Sequence, residues 1–595
     1  MDLRALNLNI GSQSFVGKMN LKPVRLKRDR DSLVRRLFDS PDCSLGRTAL
    51  LLVVLLGWQS QMFAQDGERE RDRRRRDGFG ERLDQRRAES RSRFRNPIVL
   101  ARFRTIDGTM NNIAGVYWGA AGANLRRRVP SAYADGVWAP SGGNRKPARS
   151  ISNYFSVQNQ SIPNARGLSS MVWQWGQFLD HDISITESHD PLVPMPIIVP
   201  TGDRFFDPFG GGGQTISFFR AEYRAGGSPT APREQVNSIT SWVDASNVYG
   251  SDEATARSLR TFSDGLMKTS EGNLLPVDET CFFYAGDVRA NEQVGLTSMH
   301  TIFVREHNRI AIKIAATSPT MTDEQIYVRA KKHVGALMQS VTYNEFLPAL
   351  MGPNPLRPYR GYNPLVFPNI SNVFSTAAYR FGHSMLNTDM LRLDNKGNRI
   401  AEGNLSLAEA FFNPANLKDH GVDPYLKGLS LQEAQEIDTR IVGSVRNFLF
   451  GAPGSGGFDL AALNIQRGRD HGLADFNSIR QFYRLPRYTS FNQISRDPQI
   501  QASFSLAYSS VDEIDPWVGM LAEDHLPGKS IGQTLDIILR QQFEALRDAD
   551  RFWYERDFSD REIDEIERTS LADIIQRNSG VRNLQPNVFL VPAVR

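Results

Sequence analysis

In the stretches Met299–Ala316 and Asp323–Leu347, apolar residues return every three or four positions with no strand-like alternation. That period is the signature of amphipathic helices, and it dominates the chain beyond about residue 96. There is no internal repeat and no second low-complexity stretch there, only Gly-rich turns such as Gly210–Gly213 and Gly451–Gly457. The expectation is one large, mainly α-helical domain over residues 96–595 with little β-structure. Only Cys43 and Cys281 are present, so the fold must rest on its core and on bound groups rather than on a disulfide framework. Cys281 is expected as a core thiol, with an intermolecular disulfide as the alternative.

The sequence pI of about 9.1 suggests a basic protein until the charges are placed along the chain. Residues 1–95 carry 22 Lys and Arg against 13 Asp and Glu, which leaves 49 basic and 53 acidic residues for the rest. The body therefore lacks the cationic excess that a nucleic-acid binder needs. Ala49–Leu56 is an uninterrupted apolar run preceded by Arg35, Arg36 and Arg47 and followed by Ala64, the layout of an export signal. Residues 1–64 are read as that signal, with an unusually long basic n-region; Met19 is an alternative start. The run is too short to span a bilayer comfortably, so no stable membrane span is expected and the protein is placed outside the cell or in its envelope. Residues 65–95 are rich in Arg, Asp, Glu and Gln with almost no large apolar side chains, and are read as a disordered, Arg-rich linker.

In Met171–Ile185 the polar residues Gln177, Asp180, His181 and Ser184 fall at i, i+3, i+4 and i+7, on one stripe of a helix otherwise faced by Trp175, Phe178 and Leu179. A lone histidine in such a place is more often a satisfied core residue than a catalyst. Asp182 points about 100° away from His181 and should serve a different partner. Thr240, Trp242, Asp244 and Ser246 offer oxygens at alternate positions, as hard cations prefer, although ordinary turns use the same residues. Arg380 and His383 share a face of the apolar stretch Asn372–Leu386, where a histidine could hold a haem iron axially. His189, His300, His307, His333, His420, His471 and His525 show no pairing that suggests zinc and are read as structural.

Taken together, WGQFLDHD, AGDVRANE, YRFGH and LNIQRGRDHG resemble the animal haem peroxidase family, the group of myeloperoxidase, lactoperoxidase and peroxidasin. FRTIDGTMNN, TSWVDASNVYG, LTSMH and REHNR extend the match, in the family's order, from about residue 102 to near residue 480. The resemblance implies a mainly helical peroxidase fold for residues 96–595. It makes His181 the distal base and Arg289 the distal cation, with Gln177 lining the same cavity. It makes His383 the proximal ligand of a haem b iron, with Asn464 accepting its other ring N–H, and assigns Arg380 and Arg467 to the haem propionates. Asp180 and Glu292 match the two carboxylates that such enzymes esterify to haem, while Gln293 stands where myeloperoxidase has a methionine bonded to the haem. Asp182, Thr240, Trp242, Asp244 and Ser246 match the family's calcium site. The implied activity is oxidation of a halide, thiocyanate or small aromatic donor by hydrogen peroxide through a ferryl haem.

Two other readings compete. A fatty-acid dioxygenase of the related cyclooxygenase branch needs a radical-forming tyrosine three residues before the proximal histidine, and here that position is Arg380, with Tyr379 one residue off. A non-catalytic adhesion or matrix-binding protein on the same scaffold would have no need of His181, Arg289 and His383 together.

Overall fold

Helices account for most of the ordered elements of the computed structural model, which describes residues 102–224 and 228–592. The export-signal and linker assignments, with Cys43, lie outside the described residues. The two periodic stretches fold as a packed helical pair, Val294–Thr317 and Asp323–Val341. The second begins with a capping box, in which Thr322 accepts the Gln325 N–H and the Gln325 side chain returns to Thr322. Its pattern runs on to Leu347 because the helix passes into a π turn, Thr342–Phe346, and then a short helix, Leu347–Met351.

Strand content is slight. Ala123–Asn124, Glu234–Asn237 and Tyr223–Arg224 form a three-stranded antiparallel sheet with Glu234–Asn237 in the middle, and two further antiparallel pairs consist of two-residue strands. One hydrophobic cluster extends from Leu125 to Phe589, so both ends of the described chain close on the same core. The Met171–Ile183 helix runs through this core, with Trp175, Phe178 and Leu179 fully buried and Phe303 stacked on Phe178.

Two expectations need correction. Asn372–Leu386 is not one helix: an α-helix covers Asn372–Thr376, Ala377 leaves helical geometry (φ −129°, ψ −60°), and a 3-10 segment covers Ala378–Ser384. Arg380 and His383 still share a face, because residues three apart eclipse in a 3-10 turn. Cys281 is not a core thiol; it is partly exposed, in a turn where its φ of +66° is positive.

Candidate active site

Three of the four residues on the sequence-derived polar stripe meet side chains from the loop that precedes the Val294–Thr317 helix. His181 is buried, with Nδ1 3.5 Å from Asp287 Oδ1 and Nε2 3.9 Å from Glu292 Oε2. No hydrogen bond closes on Nδ1. Burial, reinforced by the Arg289 guanidinium, holds the His181 imidazole well below its ordinary pKa, so the ring is neutral. Arg289 grips Asp287 with two N–H groups at 2.8 Å each, and its Nη1 lies 3.3 Å from Asp180 Oδ2. Burial would raise the Asp287 pKa, but the Arg289 guanidinium and its hydrogen bonds overcome it and keep Asp287 ionised. Asp287 was not singled out in the sequence. The local signal is the Asp-x-Arg turn, closed by the Arg289 backbone N–H on Asp287 Oδ1 at 2.9 Å.

Asp180 and Glu292 join the same cluster. The Asp180 side chain is 35% accessible although it lies deep within the protein, so its accessible surface belongs to an interior opening. Burial raises the pKa of both carboxyls, and Glu292 is pushed up to about 7. Gln177 accepts from Gln293 Nε2 at 3.1 Å, and it favours the charged form of Glu292. Ser184, the last stripe residue, instead caps the helix end and bonds Ser375 Oγ at 2.8 Å, tying this helix to the segment that carries Arg380.

A second cluster faces the first; Asp180 feels both Arg289 and Arg380. His383 Nδ1 lies 2.8 Å from Asn464 Nδ2, and Nε2 has no hydrogen-bond partner among the described residues. Asn464 Oδ1 accepts Arg380 Nη1 at 3.1 Å. Arg380 occupies the amide oxygen and the amide nitrogen lies against the ring, whereas the expected role of Asn464 as acceptor from His383 requires the amide turned over with the ring proton on Nδ1. Burial, with Arg380 nearby, pushes the His383 pKa down to about 3, although the Asn464 bond opposes it. Arg380 pairs with no carboxylate among the described residues, and burial beside Arg467 pushes it down to about 10. Arg467 is held at 2.9 Å by Asp470. Asn464 and Arg467 sit three apart on the Leu460–Asp470 helix, whose N-cap is Asp459.

The cavity's composition fits a haem. The unpartnered His383 Nε2 suits an axial bond with the ring proton on Nδ1, two partly buried guanidiniums suit propionates, and a neutral histidine with an unbonded Nδ1 faces the other side. Tyr379, the rival reading's residue, packs among Phe374, Phe381 and Phe543. Of the histidines read as structural, His307 bonds Tyr249 and the Gly265 carbonyl at 2.8 Å each. His300 is fully buried with neither ring nitrogen bonded, and its ring centroid lies 6.3 Å from that of His181.

The oxygen-rich loop gathers around Asp182. Asp182 accepts from the Asp244 and Ala245 N–H groups at 3.1 and 3.2 Å and from Ser246 Oγ at 3.0 Å, while Thr240 Oγ1 donates to Asp244 Oδ1 at 3.1 Å. Burial raises both carboxyl pKa values, and Asp244 raises that of Asp182 further. Among the described residues no group of three or more His, Cys, Asp and Glu is arranged for a metal, so a cation here would depend on two carboxylates plus hydroxyl and carbonyl oxygens. Trp242 is fully buried, with its indole N–H 3.2 Å from the Gly108 carbonyl.

A helical fold around a cavity of this composition suits a haem-dependent oxidoreductase. The chain belongs to the animal haem peroxidase family, whose model it matches over residues 103–589, and it is a haem peroxidase. It is 37% identical over 475 residues to peroxinectin A of Dictyostelium discoideum, which covers 75% of this chain and 87% of that protein. It is 35% identical over 561 residues to the human peroxidasin homolog; that match covers 82% of this chain but only 37% of the much longer relative. Among solved structures, peroxidase A from Dictyostelium discoideum superposes with a TM-score of 0.77 at 34% identity, covering 82% of this chain and 99% of that one. A fatty acid alpha-dioxygenase of Arabidopsis thaliana superposes with a TM-score of 0.71 at 19% identity, covering 83% and 84%, which is a likeness of fold alone.

Proposed function

We propose that the protein uses hydrogen peroxide to oxidise halides, thiocyanate or small aromatic donors, with haem b held between His181 and His383. The observation that carries this reading is the neutral, orphaned His181 beside the Asp287–Arg289 pair. The Asp287 carboxylate 3.5 Å from Nδ1 favours the proton there and leaves the Nε2 lone pair to take a proton from peroxide. His181 then returns that proton to the departing oxygen, a base-then-acid role worth roughly 10² to 10⁴ in rate. Arg289, fixed by Asp287, stabilises the negative charge that develops as the O–O bond breaks. Bound haem would supply the metal centre for peroxide and the store of oxidising equivalents.

His383 would hold the iron through Nε2, with the ring proton on Nδ1 and the Asn464 amide turned to accept it, while Arg380 and Arg467 would take the propionates. Asp180 and Glu292 are the candidates for ester bonds, and Gln293 removes the option of a sulfonium bond. Calcium would bind at Asp182, Thr240, Trp242, Asp244 and Ser246, bracing the helix that carries His181. Secretion or an envelope location is part of the same reading. It rests on the Ala49–Leu56 run, and no helix among the described residues is long and apolar enough to cross a membrane.

The test is steady-state peroxidation by the haem-loaded protein across chloride, bromide, iodide, thiocyanate and a phenol. Turnover of at least one anion and of the phenol is expected. Lipid oxygenation with no turnover of any of them, or a protein that takes up no haem, would overturn the reading.

A further inference from the structure

Gln293 precedes the Val294–Thr317 helix and accepts the Gly295 backbone N–H through Oε1 at 2.6 Å. A backbone N–H can only donate, so this bond fixes which end of the Gln293 amide is oxygen. The other end is therefore its NH₂ group, which donates to Gln174 Oε1 at 2.6 Å and Gln177 Oε1 at 3.1 Å. Both partners must in turn show Gln293 their oxygens. Gln174 is fully buried with its own nitrogen left unbonded, as expected of an amide whose orientation is imposed from outside. Gln177 has its oxygen engaged in the same way, so its NH₂ group is turned away from Gln293, on the side of the Glu292 carboxyl whose charged form Gln177 favours.

The cluster is built against a glycine. A Cβ at Gly295 would stand 2.5 Å from Gln174 Oε1 and 2.9 Å from Gln293 Oε1, so any larger residue would push the amides apart. The chain of bonds runs one way, from the helix N-terminus through Gln293 to Gln177.

We propose that Gln293 is a positioning residue that sets the polarity of the peroxide-side cavity: it holds Gln177 as a hydrogen-bond donor, so that the cavity favours anions. This rests on Gln177 lining that cavity, as in the proposed function. Gln293→Glu separates the lock from the helix cap. The carboxylate still accepts the Gly295 N–H but has no proton to give, so Gln174 and Gln177 must turn their NH₂ groups toward it, and Gln177 then shows its oxygen to the cavity.

The experiment is fluoride binding to the haem-loaded protein, followed spectroscopically, in a cycle of wild type, Gln293→Glu, Gln177→Ala and the double variant, with thermal unfolding alongside. Gln293→Glu should weaken fluoride about tenfold, as expected for losing a donor to a charged ligand, while leaving the unfolding temperature near that of wild type. In the Gln177→Ala background the same change should alter affinity less than about twofold. Gln293→Leu, which removes the donor without adding charge or a sulfur that could bond the haem, should follow the same pattern and serves if Gln293→Glu fails to fold. An equal effect in both backgrounds, or no effect of Gln293→Glu where Gln177→Ala does weaken fluoride, would overturn the lock. Unchanged binding in Gln177→Ala would overturn the placement of Gln177 in the cavity, and the lock with it.

Discussion

The chemistry of His181 is set by what surrounds the ring. Burial and the Arg289 guanidinium both disfavour an imidazolium there, so its pKa lies well below the ordinary value of about 6.5. A base with a lowered pKa stays neutral as pH falls through the usual histidine range and is lost only below it. The second-order rate with peroxide should therefore be flat from about pH 8 to about pH 6, with its acid limb well below 6.5. A decline centred near 6.5, in rapid-mixing measurements across that range, would contradict the description of the site. His181, Asp180 and Gln177 were legible in the sequence because a helix converts spacing into a stripe. Asp287 was not, and Gln293 was read only as the residue at a haem-bonding position and not as an amide lock, since an Asp-x-Arg turn and a helix N-cap look alike wherever they occur; their meaning depends on a helix far away in the chain.

At the scale of elements, the Met171–Ile183 helix carries His181 toward one partner loop and Asp182 toward another. Asp182 and Asp244 lie buried together, and burial raises the pKa of each. A divalent cation would let both ionise and would bind the folded state alone, which stabilises it by about 2.7 kcal/mol at a hundredfold excess over its dissociation constant. Added calcium should raise the unfolding temperature of wild type by roughly a few degrees over a chelator-treated sample, and should not do so for Asp244→Asn. Equal temperatures with and without the ion would remove the calcium assignment. The break at Ala377 was hidden for a related reason: apolar periodicity reports which face is buried, and a 3-10 turn keeps residues three apart on that face.

Across the whole molecule, distant segments are tied by buried charges that no local pattern announces. Arg149 donates to Asp203 at 2.7 and 3.0 Å, to Asp459 at 2.7 Å and to Asn447 at 3.0 Å, with all three charged side chains almost wholly buried. It thereby joins the Ala148–Phe155 helix to the N-cap of the Leu460–Asp470 helix that carries Asn464 and Arg467. Arg149→Met would leave two carboxylates buried without their cation, and should cost about 3–5 kcal/mol in urea unfolding. An unchanged midpoint would show that the network contributes little. The helical class and the segments that carry the candidate site could be read from periodicity and motifs, whereas such pairings are fixed only when the core assembles.

The central claim is that His181 moves the peroxide proton in a cavity whose haem is held from the opposite side. Its most direct test is rapid mixing of peroxide with haem-loaded wild type and His181→Ala. The variant should keep its haem absorption and lose roughly 10² to 10⁴ of the rate; wild-type rates in a variant that still binds haem would contradict the account.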